Sequence, residues 1–88
     1  MKTMQTRIED KLSTIFNPMY LEVVNESGKH SGHSGDDGSG ESHFRVEIVS
    51  KMFANKNAVD CHRMVYECLQ EELETVHALS IFASERKK

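Results

Sequence analysis

Hydrophobic and polar positions along this chain follow two different periods. In residues 4–16 the apolar side chains recur every three or four positions with charged residues between them, which predicts an amphipathic helix. A second helical pattern covers residues 58–73, with Asn57 at the N-cap position. The first helix should end at Asn17, because Pro18 disfavours helical geometry in the residue before it.

Three shorter segments follow the two-residue period of a strand. They cover residues 20–25, 44–49 and 76–82, and in the second of them apolar side chains alternate with Arg45 and Glu47. The predicted order is therefore helix, strand, strand, helix, strand. A three-stranded sheet with both helices on one face would bury the apolar side of every element. This is an α+β fold of order αββαβ.

All five glycines lie between the first two strands, in residues 27–42. This segment also contains His30 and His33 and is low in apolar residues, so we expect a long flexible loop. Residues 84–88 are mostly charged and predict a short C-terminal tail. We expect residues 1–88 to form one small domain.

The composition limits the classes of function. A net charge of -3 argues against a protein that coats itself in nucleic acid, and no run of about 18 apolar residues predicts a membrane span. Cys61 and Cys68 lie two helical turns apart, too far for a disulfide within one helix, and free thiols are typical of a reducing compartment. The N-terminal residues are charged and contain no apolar stretch, so we expect no secretory signal. We expect an intracellular protein, in the cytoplasm or in an organelle matrix.

No pattern typical of catalysis occurs. The glycine-rich segment lacks the spacing of a phosphate-binding loop and no nucleophile–base pair can be named, so we expect a binding protein and not an enzyme. Both cysteines belong to the apolar stripe of the second helix and are expected in the core. The sequence pattern leaves open whether any of the five histidines binds a metal. A single histidine is more often structural, but imidazole binds transition metals well.

Four segments of the chain together resemble a known family. They are EVVNES, ESHFRVEIVSKMF, CHRMVYECLQEEL and VHALSI, and in content, order and spacing they are similar to the BolA family. The resemblance extends over nearly the whole chain. It implies a type II KH-like fold of order αββαβ, in agreement with the hydrophobic pattern. It also implies a partnership with monothiol glutaredoxins in iron–sulfur cluster assembly and iron homeostasis.

The resemblance further implies which residues would bind a cluster. His77, in VHAL, matches one ligand position of the family's cluster-bridged heterodimers. The other ligand lies in the loop between the first two strands, where His30 is the first candidate and His33 the alternative. A [2Fe-2S] cluster usually takes four ligands, so a glutaredoxin cysteine and glutathione would supply the rest. We expect no cofactor in the isolated chain, which should be a monomer or a weak dimer.

The alternative function is that of a DNA-binding transcriptional regulator, a role also attributed to the family. Lys51, Lys56 and Arg63, in and before the second helix, would then contact phosphates. Acidic residues in the second half of that helix would oppose this by repelling phosphate; they are Glu67, Glu71, Glu72 and Glu74. The cluster-binding role is therefore the preferred interpretation.

Overall fold

The computed structural model describes residues 3–27 and 42–86. The elements are α1 (Met4–Phe16), β1 (Tyr20–Asn25), β2 (His43–Val49), α2 (Ala58–Cys68) and β3 (Ala78–Ser84), with 3-10 turns at Lys51–Phe53 and Glu72–Glu74. The predicted α+β class and αββαβ order are confirmed. Residues 28–41 of the predicted flexible loop lie outside the described residues, as do the last two residues of the predicted tail.

The central strand of the sheet is β2. It pairs with β1 in antiparallel and with β3 in parallel direction. Phe44, Val46 and Ile48 of β2 are at most 2% exposed, whereas Arg45 and Glu47 between them are partly exposed. The helices cover the apolar face of the sheet, so the described parts of the chain share one core; its helical members are Met4, Ile8, Leu12, Phe16, Cys61 and Val65.

Both ends of α1 are fixed by local hydrogen bonds. The Thr3 side chain accepts the backbone N–H of Thr6 at 3.1 Å and so caps the N-terminus. At the other end Asn17 adopts the left-handed conformation, with φ of 44°, and its N–H donates to Ser13. The helix therefore ends before Pro18, as predicted. Ile15 belongs to the apolar pattern but is 54% exposed, because it points away from the sheet.

The second helix is shorter than its apolar pattern predicts. It begins after Asn57, whose side chain caps it as predicted by accepting the N–H of Asp60 at 2.8 Å, but it ends at Cys68 and not at residue 73. The chain continues through a turn into Glu72–Glu74, which keeps apolar side chains buried without continuing the helix. Within the described residues, neither helix is long and apolar enough to cross a membrane.

The third strand begins two residues later than predicted. Val76 is 5% exposed and packs in the core, but it belongs to the segment before β3. Hydrophobicity alone does not separate a buried connecting residue from a strand residue, and this explains the shift. The strand itself continues to Ser84, where the carbonyl accepts the N–H of Ser50 at 3.0 Å.

Candidate functional site

His77 lies on the surface at the point where the chain enters β3. Val76, directly before it, is buried, and the His77 backbone N–H donates to the Ser42 carbonyl at 2.8 Å. The histidine itself is exposed. Its backbone is therefore fixed by the core on one side and by the sheet on the other, and the residue is at the surface. A purely inward-packing role for this histidine is excluded.

The ends of the long loop are joined by the side chain of Ser27. Its hydroxyl oxygen accepts the backbone N–H of Ser42 at 2.9 Å and that of His43 at 3.1 Å. The same hydroxyl donates to the His43 carbonyl at 3.4 Å. Ser27 is 4% and Ser42 0% exposed, so these bonds are protected from water. We call Ser27, Ser42 and His43 the loop neck.

One residue connects the loop neck to His77. Ser42 gives its N–H to Ser27 and receives the N–H of His77 on its carbonyl. The hydroxyl of Ser42 lies 2.7 Å from Nδ1 of His43, which orients that imidazole as well. Ser42 and Ser27, which flank residues 28–41, are therefore linked to His77 through one and two hydrogen bonds, respectively.

The two predicted loop ligands, His30 and His33, lie outside the described residues. The structure therefore places His77 beside the loop neck but does not place its predicted partners. Within residues 3–27 and 42–86, no three or more His, Cys, Asp or Glu side chains are grouped to hold a metal ion.

The two thiols are poorly suited to be metal ligands. Cys61 is buried and Cys68 half-buried, and both are free. Burial raises the pKa of the Cys61 thiol, with Asp60 acting in the same direction and Lys56 against it. Burial also raises the pKa of Cys68. Because metals bind the thiolate, these shifts disfavour ligation. The prediction that both thiols face the interior is confirmed for Cys61, and Cys68 packs at the margin of the core.

Two of the three basic residues predicted to contact DNA line one groove. Lys56 and Arg63 line a small groove of about 270 Å³ together with Asp60 and Glu67, so acidic side chains share the surface with them. Lys51 lies in the preceding 3-10 turn, next to the end of β3. The structure brings together two of the three predicted contacts.

A larger groove of about 500 Å³ lies along the outer flank of α2. Its lining residues are Val59, His62, Arg63, Tyr66, Glu67, Gln70 and Leu73. Val59 is 62% and Tyr66 41% exposed, which is high for apolar and aromatic side chains at helical spacing. The hydroxyl of Tyr66 donates to the Leu79 carbonyl at 3.4 Å, so this flank borders β3.

Two features of the site were missed by sequence reasoning. The loop neck depends on Ser27 and Ser42, which look like ordinary loop serines in a Gly/Ser-rich segment; their position at the ends of two strands was the only available signal. Glu72 was counted among the acidic residues that repel phosphate, and this was wrong. Its side chain is 1% exposed and paired with Arg7 and Lys11 of α1.

Comparison with known proteins decides the family. The sequence profile described as "BolA-like protein" matches residues 12–87. The chain belongs to the BolA family. The matched part includes the loop neck, α2 and His77, so the whole described site lies within the BolA-like domain.

Relatives of this BolA-like chain occur in bacteria and plants. It is 47% identical over 76 residues to the DNA-binding transcriptional regulator BolA of Escherichia coli (strain K12), which covers 85% of this chain and 69% of that protein. BolA1 from Arabidopsis thaliana has a solved structure with a TM-score of 0.84 at 41% identity, covering 96% of this chain and 93% of that one. The BolA domain of SufE1 from Arabidopsis thaliana gives the same values.

Proposed function

We propose that this BolA-like chain is a non-catalytic partner of a monothiol glutaredoxin and shares a [2Fe-2S] cluster with it in iron–sulfur cluster assembly and iron homeostasis. His77 and one loop histidine, His30 or His33, would be its ligands. The glutaredoxin cysteine and glutathione would complete the set. The cytoplasm or an organelle matrix supplies the reducing conditions that this arrangement needs.

The position of His77 carries the proposal. An exposed imidazole on a backbone fixed by the Ser42 carbonyl can meet a ligand held by a second protein without any rearrangement of the core. Imidazole nitrogen is a suitable ligand for iron, and it replaces thiolate at one iron of Rieske clusters. Burial raises the pKa values of the buried Cys61 and the half-buried Cys68, which makes both thiols poor competing ligands.

Chain length allows a loop histidine to reach the same place. His30 follows Ser27 by three residues and His33 by six, and extended chain covers at most about 3.5 Å per residue, or roughly 10 and 20 Å. Both candidates can therefore approach His77 from the loop neck. The resemblance favours His30, which follows the NES segment, and His33 remains the alternative.

The test compares the variant His77→Ala with the control variant His62→Ala. The purified chain is mixed with a monothiol glutaredoxin, iron, sulfide and glutathione, and the visible and circular-dichroism spectra of the heterodimer are recorded. We expect His77→Ala to alter or abolish these spectra. His62→Ala, on the flank of α2, should leave them unchanged. Unaltered cluster spectra in the His77→Ala heterodimer would contradict the proposal.

The loop ligand is tested in the same assay. His30→Ala should weaken the cluster spectrum, and His33→Ala should have the smaller effect if His30 is the ligand. The double substitution should cause the largest loss, because it removes both loop imidazoles. If neither single nor double substitution changes the spectrum, the second ligand does not come from this loop.

DNA binding is the second candidate function, favoured by the name of the Escherichia coli relative. Lys56 and Arg63 share one groove and could contact neighbouring phosphates. The acidic side chains in that groove lead us to expect weak, strongly salt-dependent affinity. Arg63→Ala should lower the salt slope of DNA binding by about 1, and Glu67→Gln should raise the affinity. Tight, sequence-specific binding that Arg63→Ala abolishes would make regulation the primary function.

A further inference from the structure

The outer edge of β3 differs from the outer edge of β1. The sheet order is β1-β2-β3, so within the described residues β3 has a strand neighbour on one side only. At the opposite edge α1 lies against β1, and the Gln5 amide donates to the Val23 carbonyl at 2.9 Å. On the β3 edge, the Tyr66 hydroxyl donates a longer bond, of 3.4 Å, to the Leu79 carbonyl.

The direction of the backbone groups in β3 follows from its pairing. Ala78 donates to Ser42 of the neighbouring chain segment, and Ser84 accepts from Ser50. Alternate residues of a strand direct both backbone groups to the same side, so the N–H and C=O groups of residues 79, 81 and 83 point to the outer edge. The Tyr66 bond to the Leu79 carbonyl agrees with this direction. These three alternating residues form a regular template for another strand.

The composition of this edge does nothing to prevent such pairing. Edge strands are usually protected by lysine, proline or a bulge, but Ala78–Ser84 contains no charged residue and no proline. Phe82 is 59% exposed on the face of the sheet that the helices leave open. On the other face, the exposed Tyr66 of α2 borders the same edge and shares a groove with the exposed Val59.

We propose that the outer edge of β3 pairs with the same edge of a second copy of this chain, antiparallel and centred on Ile81. In this register Ile81 faces Ile81 of the second copy, and residue 79 faces residue 83. The outward N–H groups of the strand then gain acceptors, and the Leu79 carbonyl accepts a second hydrogen bond beside that from Tyr66. Ser80 lies opposite Phe82 of the second copy, and the two Phe82 rings become diagonal neighbours that cover each other.

Charge complementarity favours the same register. The residue opposite His77 is Glu85 of the second copy, so a carboxylate meets an imidazole at both ends of the paired strands. No like charges face each other between them. The two helix layers lie on the same side of the joined sheet, and the flanks that contain Val59 and Tyr66 face each other across the two-fold axis.

The expected dimer is weak. Stable protein interfaces bury roughly 1,200–2,000 Å² in total, and pairing along one seven-residue strand with flanking contacts lies at the low end of that range or below it. Because the paired edge ends at His77, the dimer would also cover the residue proposed as a cluster ligand. Only this last consequence rests on the proposed function.

The test measures the mass of the reduced chain alone by sedimentation equilibrium, from about 10 μM to about 1 mM. We expect the mass to rise from 10.0 kDa toward twice that value. Ala83→Pro removes an N–H that points to the outer edge and leaves the bonds to β2 intact. It should weaken association at least about tenfold, because the symmetric dimer loses two hydrogen bonds. The matched control Ala83→Ser should associate as the parent chain does.

A second pair of variants keeps the test valid if proline disturbs the strand. Ser80→Lys places a charge opposite Phe82 of the second copy and should also reduce association, whereas Ser80→Thr should retain it. Each variant is checked for an unchanged melting temperature. A parent chain that stays at 10.0 kDa over the whole range overturns the proposal. Association that neither Ala83→Pro nor Ser80→Lys weakens overturns it as well.

Discussion

The carboxylate of Glu72 joins the turn before β3 to the first helix, α1. It is 1% exposed, and two cations of α1 hold it: Arg7 at 2.9 Å from one oxygen and Lys11 at 2.9 Å from the other. Glu71, the preceding residue, is 80% exposed and lies 3.4 Å from the same lysine. Glu72 thus joins the turn before β3 to α1. Glu71, which is exposed, serves as the control position for substitutions of Glu72.

We predict that Glu72→Gln lowers the free energy of unfolding by about 2 kcal/mol, in the range found for hydrogen bonds to charged groups. Breaking a fully buried ion pair costs about 3–5 kcal/mol, because the remaining charge stays buried. Here the Arg7 and Lys11 side chains are 42% and 34% exposed and can regain water, which reduces the loss. In a domain of this size, 2 kcal/mol corresponds to a fall in melting temperature of about 8–16 °C.

The effect should depend on pH in a defined direction. Burial alone would raise the pKa of Glu72, but its contacts with Lys11, a local backbone hydrogen bond and Arg7 together lower it below the ordinary glutamate value. A carboxyl with a lower pKa in the folded state stabilises the protein above the unfolded-state pKa, and that stabilisation is lost as the pH falls through the folded-state pKa. The difference between the parent chain and Glu72→Gln should therefore be full at neutral pH and shrink in acid.

The assay is urea unfolding followed by far-ultraviolet circular dichroism, at neutral pH and at several acidic values. Glu71→Gln makes the same chemical change one residue earlier and should alter stability by no more than the error of the measurement, since that carboxylate is exposed. Equal stability of Glu72→Gln and the parent chain at neutral pH would refute the reasoning. So would a difference that stays constant into acid.

Three further outcomes follow from the packing and the loop neck. Ser27→Ala should lower stability by about 1–3 kcal/mol in the same urea assay, because two buried N–H groups lose their acceptor. Phe53→Ala should cost about 3–5 kcal/mol, since the ring is 2% exposed and packs in the core. Iodoacetamide should modify Cys61 and Cys68 slowly in the folded chain, with Cys61 the slower, and both rapidly in urea; fast modification of folded Cys61 would contradict its assigned burial.

Local patterns were sufficient to predict most of the fold. The bounds of β1 and the N-cap at Asn57 match the prediction, because period-two alternation and side-chain capping are local effects. The predicted end of α2 was wrong, because the local pattern of apolar residues continues beyond the point where the helix stops. The helix ends at Cys68, and Glu72 beyond it pairs with Arg7, 65 positions earlier in the chain, a contact that no pattern within the helix contains.

The candidate site was less predictable than the fold. The resemblance to the BolA family pointed to His77, and the structure adds that this residue is exposed and bonded through its backbone to Ser42. The loop neck was missed because its bonds join residues 15 and 16 positions apart, between serines that carry no distinctive pattern. Lys56 and Arg63 line one groove, which their positions along the chain alone do not show.

Because of the loop neck, the stability of the domain depends little on the length of the loop. Once the strand ends are bonded through Ser27, added residues in the loop change only the entropy of closing it, and a doubling of loop length costs only about 0.6 kcal/mol. Insertions and substitutions between the two serines are thus nearly neutral for folding. If the proposed function holds, this neck would let the ligand offered by the loop of this chain change while the sheet and the core stay the same.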